Sequence, residues 1–178
     1  MTMIATGIPL RHLHLVWSDL WPLLEPAVKR SPDYSAGDRA GPDACPEPAE
    51  WVLARLIACD AQLWAVYDAN APVAAIVTQI QTGGPSTALP STALGTGPRL
   101  STAADAGEKR CLIWLVGGSR LREWATDFIA KLEDWARSLG CVTLRGVGRP
   151  GWARIVKKFG GVSVDAVDGL PAWERRIA

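Results

Sequence analysis

The chain of 178 residues has no long apolar run and no closely spaced pair of cysteines, and these absences exclude several classes of protein. No stretch approaches the roughly 20 apolar residues that a membrane-spanning helix requires. The N-terminal segment lacks the basic start and continuous apolar core of a secretory signal peptide. The four cysteines include no Cys-x-x-Cys pair, a pattern typical of reduced thiols. The sequence therefore predicts a cytoplasmic protein without a membrane span.

The chain also lacks an excess of charge of either sign. Its formal net charge is +1, so nothing in the overall charge points to nucleic acid or to acidic partners. The apolar content of 48% and the charged content of 21% are those of a soluble globular protein. A length of 178 residues suits one domain with one sizeable core. We therefore predict a single domain over residues 1–178.

Phenylalanine and tyrosine are scarce, with two of each, whereas tryptophan is abundant. Tryptophan carries a large apolar surface and one N–H donor, which suits both cores and interfaces. Core filling explains most of these residues, and we expect one or two of them to reach a partner surface. The nine tryptophans are Trp17, Trp21, Trp51, Trp64, Trp114, Trp124, Trp135, Trp152 and Trp173.

The first half of the chain predicts one strand, two helices and a hairpin. Alternating apolar residues over 10–16 favour a first strand, and a helix is predicted after Ser18 and Asp19. Proline and glycine indicate a loop over residues 31–48. A second helix is predicted over residues 49–58, and two apolar runs around a short turn favour a hairpin over residues 62–82.

The second half of the chain begins with a Pro/Ser/Thr/Gly-rich insertion at about residues 83–109. This insertion holds too few large apolar residues to offset its ordering entropy, so we expect a disordered or functional loop. Strands are then predicted over residues 111–118 and 141–145, with a strongly amphipathic helix between them. A helix opened by Pro150 and two closing strands, residues 162–165 and 172–177, complete the pattern.

This order of elements resembles the second half of the GCN5-related N-acetyltransferase (GNAT) fold, and the first half is similar to the corresponding part of that fold. The sequences that carry the resemblance are CLIWLVGG at 111–118, LEDWARSLGC at 132–141 and GRPGW at 148–152. The resemblance implies an α/β (α+β) acyl-CoA N-acyltransferase fold. In that fold a central mixed, mostly antiparallel sheet is flanked by helices.

The resemblance also implies an acetyl-CoA site at the end of the strand over residues 111–118. GNAT enzymes hold the cofactor pyrophosphate with a Q/R-x-x-G-x-G/A loop, which corresponds here to residues 116–121. Two glycines are present but not at the family spacing, and two arginines supply positive charge. A tight strand-to-helix turn explains the glycines equally well. The candidate cofactor-binding residues are Val116, Gly117, Gly118, Ser119, Arg120 and Arg122.

The catalytic residues of the family are largely missing. The position that carries a proton-donating tyrosine in GNAT enzymes holds Val156, which has no proton to donate. The strand over residues 111–117 carries no carboxylate that could act as a base. We therefore predict no catalytic residue.

Two further patterns are weaker. Gly146, Gly148 and Gly151 spell the dinucleotide-binding G-x-G-x-x-G, but too little chain follows them for a Rossmann domain. His12 and His14 would share one face of the first predicted strand. Without a third ligand they do not predict a metal site.

The same segments resemble small GNAT-like proteins encoded by tailed bacteriophages. That resemblance implies a non-catalytic virion or assembly (head or neck) component, and the degenerate acetyl-CoA motif agrees with such a role. We would then expect other phage virion proteins as partners, in the host cytoplasm or the virion, with a homo-oligomer left open. The alternative is an N-acetyltransferase that moves an acetyl group from acetyl-CoA to an amine.

Overall fold

The computed structural model describes residues 3–31, 34, 47–82, 107–148, 155–167 and 170–177. None of the helices in these ranges is long and apolar enough to cross a membrane. The strands are β1 (Met3–Ile8), β2 (Ala61–Asp68), β3 (Ala71–Thr82), β4 (Lys109–Gly118), β5 (Cys141–Val147), β6 (Val162–Val167) and β7 (Leu170–Arg176). The α-helices are α1 (Leu13–Val28), α2 (Pro48–Ile57) and α3 (Leu121–Ser138), and residues 155–158 are also helical.

The seven strands form one sheet in the order β1-β2-β3-β4-β5-β7-β6. Every neighbouring pair is antiparallel except β4 and β5, which are parallel. Helix α3 connects these two strands, because parallel neighbours need a crossover connection. The sheet is thus mixed and mostly antiparallel, which confirms the predicted fold class.

Helix α3 covers one face of the sheet and is the element that the sequence predicted most directly. Trp124, Phe128, Leu132 and Ala136 recur at four-residue spacing and are all buried. Such a stripe places one side of a helix against the core. Gly140, with φ of 79°, follows the helix end, since glycine adopts this left-handed conformation at little cost.

The opposite face of the sheet is covered by α1 and α2. The sheet therefore has two cores, one on each side. The core beneath α1 and α2 includes Leu20, Leu24, Val28, Val52, Leu56, Leu63, Val77 and Leu115. The core beneath α3 includes Trp64, Val66, Ile76, Ile113, Phe128, Leu132, Leu144 and Trp173.

The first predicted strand was wrong. Strand β1 is Met3–Ile8, whereas residues 10–12 form a 3-10 turn and α1 already begins at Leu13. Local alternation suggested a strand, but Leu13, Leu20 and Leu24 make a buried helical stripe that outweighs it. Both histidines of residues 10–16 therefore lie at the start of a helix and not on a strand face.

Helix α1 runs without interruption through Pro22 and Pro26. A proline inside a helix usually kinks or splits it, but Pro26 does not split this helix. Both prolines are exposed. The carbonyl groups that lose an N–H partner therefore face water, where solvent replaces the missing bond.

The hairpin, α2 and the two closing strands are where the sequence predicted them, within a few residues. The residues on either side of the insertion are paired with each other, since Thr82 at the end of β3 lies opposite Lys109 at the start of β4. Residues 83–106 lie outside the described residues, so the prediction of a disordered or functional loop stays a prediction. The single-domain assignment also stays a prediction.

All eight tryptophans within the described ranges are buried or half-buried, and Trp152 lies outside them. Trp17 and Trp21 of α1 stack on each other with ring centroids 5.4 Å apart. Core filling therefore accounts for most of the tryptophan content, and contact with a partner stays a prediction.

Candidate functional site

Strands β4 and β5 pair for only part of their length and then separate. Their last paired residues are Ile113 and Gly146. Beyond this point β4 continues to Gly118 and β5 ends at Val147, with no further pairing between them. The two strands therefore open a gap at their carboxyl ends, a usual place for a ligand in sheets with parallel strands.

A β-bulge lies at the point of separation. Ile113 is paired with Thr78 and Leu115 with Val77, so Trp114 is an extra residue on β4. A bulge disturbs the alternation of side chains along a strand. Trp114 and Leu115 consequently both face the core beneath α1 and α2, while Ile113 and Val116 face the core beneath α3.

The gap leads into an apolar wedge between β4, β5 and α3. Ile113, Val116, Leu121, Phe128, Val156 and Phe159 are among its lining residues. Within the described part of the chain the lining has no carboxylate, imidazole, hydroxyl or thiol, and its only charged group is Arg175. The space open to a water-sized molecule is about 30 Å³, room for only about two water molecules. The side chains thus nearly fill the wedge.

Val156 lines this wedge and is buried. It occupies the position at which the family resemblance places a proton-donating tyrosine. An isopropyl group cannot transfer a proton, so this position contributes only apolar surface. Residues 149–154, which include the basic Arg149 and Arg154, lie outside the described residues.

The two glycines at the end of β4 are required by close packing. A Cβ atom on Gly117 would lie 1.8 Å from the carbonyl oxygen of Leu23 in α1. One on Gly118, whose φ is +116°, would lie 2.3 Å from the carbonyl oxygen of Val73. The amide of Ser119 donates to the same Val73 oxygen over 2.9 Å. This glycine pair therefore joins β4 to α1 and β3, whether or not a ligand binds.

The positive charge of Arg120 is neutralised by ion pairs with two carboxylates. This arginine precedes α3 in a left-handed conformation, φ 55°. Its guanidinium donates to Asp68 of β2 over 2.5 Å and to Glu123 of α3 over 2.6 Å. The hydrogen bond and charge of Arg120 hold the pKa of Glu123 below its usual value. The same carboxylates raise the pKa of Arg120. The trio carries a net negative charge, so Arg120 is poorly placed to attract a pyrophosphate.

Arg122 and the first turn of α3 are better placed to bind an anion. Arg122 is exposed, and its side chain makes no hydrogen bond or ion pair with the described part of the chain. No side chain caps the first turn of α3. Uncapped N–H groups and the positive end of the helix dipole favour an anion there. Val116 lines the wedge, whereas Arg122 is not among the lining residues and directly follows Leu121, which is.

The dinucleotide-like glycines serve a different purpose. Gly146 lies beneath Trp173 of β7, and a Cβ atom there would be 2.3 Å from the indole ring. The amide of Gly148 donates to the carbonyl oxygen of Pro171 over 3.0 Å. Both glycines therefore support strand packing, and Gly151 lies outside the described residues.

Sequence reasoning missed the bulge at Trp114 and the aromatic contacts around it. Trp51 of α2 contacts Trp114, with ring centroids 4.9 Å apart, and Arg55 lies over both rings. The consecutive large residues Trp114 and Leu115 were the only local sign. The continuous apolar run of β4 over residues 111–116 shows no alternation that a bulge could interrupt, so the sequence does not reveal the bulge.

Comparison with solved structures identifies the fold of the chain. No protein-family model and no curated protein sequence matches the chain. Several solved structures do match it. An apo mutant of agmatine N-acetyltransferase has a TM-score of 0.61 and 12% identity, covering 99% of this chain and 100% of that one. The PaiA N-acetyltransferase from Thermoplasma acidophilum, in complex with coenzyme A, has a TM-score of 0.56 and 12% identity, covering 99% of each chain.

A third structure is a predicted acetyltransferase from Clostridium acetobutylicum, solved with acetyl-CoA. It has a TM-score of 0.54 and 15% identity, and the match covers 94% of this chain and 93% of that one. The chain has the GNAT fold. At such low identity the likeness concerns the fold, and activity has to be argued from the residues. All three of these proteins are described as acetyltransferases.

Proposed function

We propose that the chain binds acetyl-CoA at the wedge between β4 and β5 and transfers the acetyl group to an amine. The observation that carries this proposal is the separation of β4 and β5 after Ile113 and Gly146, with a bulge at Trp114. The separation opens an apolar wedge on the α3 face, in a chain with the fold of known acetyltransferases. The neighbours solved with acetyl-CoA and CoA make this cofactor plausible.

The residues that would hold the cofactor follow from the geometry of this chain. Acetyl-CoA would supply the activated acetyl group. The apolar walls of the wedge, including Val116 and Phe159, suit its hydrocarbon parts. Arg122 and the uncapped turn of α3 suit its phosphates. Because the wedge is nearly full, Phe159 and its neighbours have to move apart when a ligand enters.

This site would accelerate acetyl transfer by aligning the two reactants more than by transferring protons. The described lining of the wedge holds no acid or base apart from the always-charged Arg175. Alignment of two reactants alone accelerates a reaction substantially. An amine that meets no general base must arrive already unprotonated. We therefore expect the acetyl-transfer rate to rise with pH up to the pKa of the acceptor amine itself.

Titration calorimetry with acetyl-CoA tests the proposal, and a dissociation constant below about 100 μM, or about 5.5 kcal/mol, supports it. Val116→Phe should weaken binding at least tenfold because it fills the wedge. Val162→Phe is the matched control, since Val162 is 63% exposed on the edge strand β6. Thermal unfolding of both variants shows whether each folds. No heat with millimolar acetyl-CoA, from a folded wild type, contradicts the proposal.

A second candidate function is binding without turnover. It is favoured by Val156 at the tyrosine position and by the lack of an acid or base in the described lining. Acetyl-CoA would then bind, but no amine in a panel of small primary amines and polyamines would be acetylated. A role in contacts with other virion proteins would fit this outcome. Acetylation of one amine, lost in Val116→Phe, would decide for the enzyme.

A further inference from the structure

A second cavity lies at the other end of the sheet. It has a volume of about 480 Å³, within the size range of small-molecule sites. It is formed where β1 ends, β2 begins and β3 ends, between the last turns of α2 and α3. It shares no lining residue with the wedge. Any ligand it holds is therefore distinct from the acetyl-CoA of the proposed function.

Arg55 of α2 lines this cavity, and its guanidinium packs against two tryptophans that are not among the lining residues. Its guanidinium carbon lies 5.3 Å from the ring centroid of Trp51 and 5.1 Å from that of Trp114. A guanidinium against aromatic faces keeps its N–H donors free around its edge. The side chain of Arg55 makes no hydrogen bond or ion pair within the described ranges. This half-buried cation therefore has no anionic partner among the residues that the structure describes.

The rest of the lining indicates what kind of anion fits. The walls combine apolar side chains, Leu13, Leu63, Ile80 and Trp135 among them, with the polar side chains of Gln62, Thr78, Gln79 and Gln81. Asp60 is the one carboxylate among the described lining residues; it is exposed and does not pair with Arg55. Asp60 would repel a dianion such as phosphate more strongly than a monoanion, and phosphate would gain nothing from the apolar part of the walls. A single negative charge on a hydrocarbon body gains from both Arg55 and the walls.

We propose that this cavity binds a small monocarboxylate with an apolar body, whose carboxylate pairs with Arg55. A carboxylate matches the forked donors of a guanidinium with two parallel hydrogen bonds. Trp51 and Trp114 stabilise the arginine before the ligand arrives, so little side-chain entropy is lost on binding. The site thus joins one charged contact to the apolar side chains of the cavity wall.

Tryptophan fluorescence and calorimetry with 4-methylpentanoate test the proposal on the full chain. We expect saturable binding, with a fluorescence change from the tryptophans next to Arg55. Arg55→Gln should weaken binding at least tenfold, whereas Arg55→Lys should retain part of it. Arg30→Gln is the matched control, because Arg30 is exposed and its side chain makes no hydrogen bond or ion pair with the described residues. It should bind like the wild type.

Two related probes and one further variant complete the test. 3-Methylbutylamine, which replaces the carboxylate by a cation, and inorganic phosphate should each bind at least tenfold more weakly. Ala61→Phe fills the cavity without touching Arg55's charge and should also abolish binding. The proposal is overturned if the amine or phosphate binds as well as the acid, or if Arg55→Gln binds like Arg30→Gln. Because acetyl-CoA is absent from these experiments, their failure leaves the proposed function untouched.

Discussion

At the scale of single residues, the end of β4 shows how one pair of glycines satisfies two demands. Gly117 allows α1 to approach β4, and Gly118 allows β3 to approach it. Such close packing explains why no side chain is tolerated there even though the family spacing of a pyrophosphate loop is not kept. Gly117 and Gly118, two of the predicted binding residues, therefore have a packing reason for being glycine that does not depend on acetyl-CoA.

Gly118→Ala should lower the free energy of unfolding by about 2–3 kcal/mol, since it combines a left-handed backbone with a backbone clash. Gly140→Ala is the matched control. Its φ is also positive, but nothing lies within 4 Å of the added Cβ atom. We expect only about 1 kcal/mol for that control. Urea unfolding measures both, and equal losses would show that the clash with Val73 is relieved by a small shift.

Cys111 of β4 provides a pH-dependent prediction at the same scale. It is completely buried, and burial raises the pKa of its thiol to about 12, with a further contribution from Cys141. In the unfolded chain the thiol ionises near its ordinary 9.0. Above pH 9 the thiol ionises in the unfolded chain but not in the folded one, and this ionisation stabilises the unfolded state. The free energy of unfolding therefore falls as the pH rises from 9 towards 12.

Between pH 8 and pH 10 the wild type should lose about 1 kcal/mol more unfolding free energy than Cys111→Ala. The variant has a lower stability at every pH because a cavity is left, so the comparison concerns the slope alone. Denaturant titrations at four pH values supply it. Parallel slopes for the two proteins would mean that the thiol ionises as readily in the folded state as in the unfolded one.

At the scale of elements, the N-terminus of α3 is where charge opposes the proposed cofactor. Arg120 bridges β2 and α3 through Asp68 and Glu123, and these carboxylates cancel its charge. Arg122 then remains as the free cation of the first turn among the described residues. The two arginines that the sequence placed together in one site thus have separate roles, one of them structural.

Glu123→Gln should strengthen acetyl-CoA binding by about threefold, because it removes one of the two carboxylates that neutralise Arg120. Asp134→Asn is the matched control. Asp134 is also ion-paired with an arginine of α3, but it lies near the far end of the helix. Calorimetry at low and moderate salt compares the two variants. If Glu123→Gln binds no more tightly than Asp134→Asn, the phosphates do not lie at this helix end.

The elements that the sequence predicted well are those whose pattern is local. The buried stripe of α3 and the turn between β2 and β3 depend on residues only a few positions apart. The N-terminal strand was wrong because residues 10–16 satisfy alternation while Leu20 and Leu24, further along, make the helical pattern dominant. The strand β1 is paired along its whole length with β2, a contact that lies about 60 residues away in sequence and that no local pattern contains.

At the scale of the whole molecule, the separation of β4 and β5 depends on contacts that no local pattern contains. The bulge at Trp114 exists only in the register of β4 against β3. Gly146 is required because the ring of Trp173 packs where a Cβ atom would lie. Both partners are distant in sequence. The sequence could therefore place its candidate site at the end of β4, through Val116 to Arg122, and this assignment stays a prediction, but the shape of the gap could not be read from the sequence.

The same long-range pairing leads to a prediction about the insertion. Thr82 and Lys109 are paired, so an antiparallel hairpin can close directly between β3 and β4. A short turn such as Asn-Gly suits this connection. Replacing residues 83–108 by a four-residue turn shortens the closed loop more than sixfold. The closure entropy alone should then raise the free energy of unfolding by about 1–2 kcal/mol.

Thermal and urea unfolding of the shortened chain measure this gain, and a chain in which the same segment is replaced by an equally long Gly/Ser linker is the control. The linker chain should match the wild type, since it keeps the loop length. A loss of stability in both altered chains would show that the segment packs against the domain. Unchanged stability with lost binding of acetyl-CoA or of the carboxylate would assign the segment to that site.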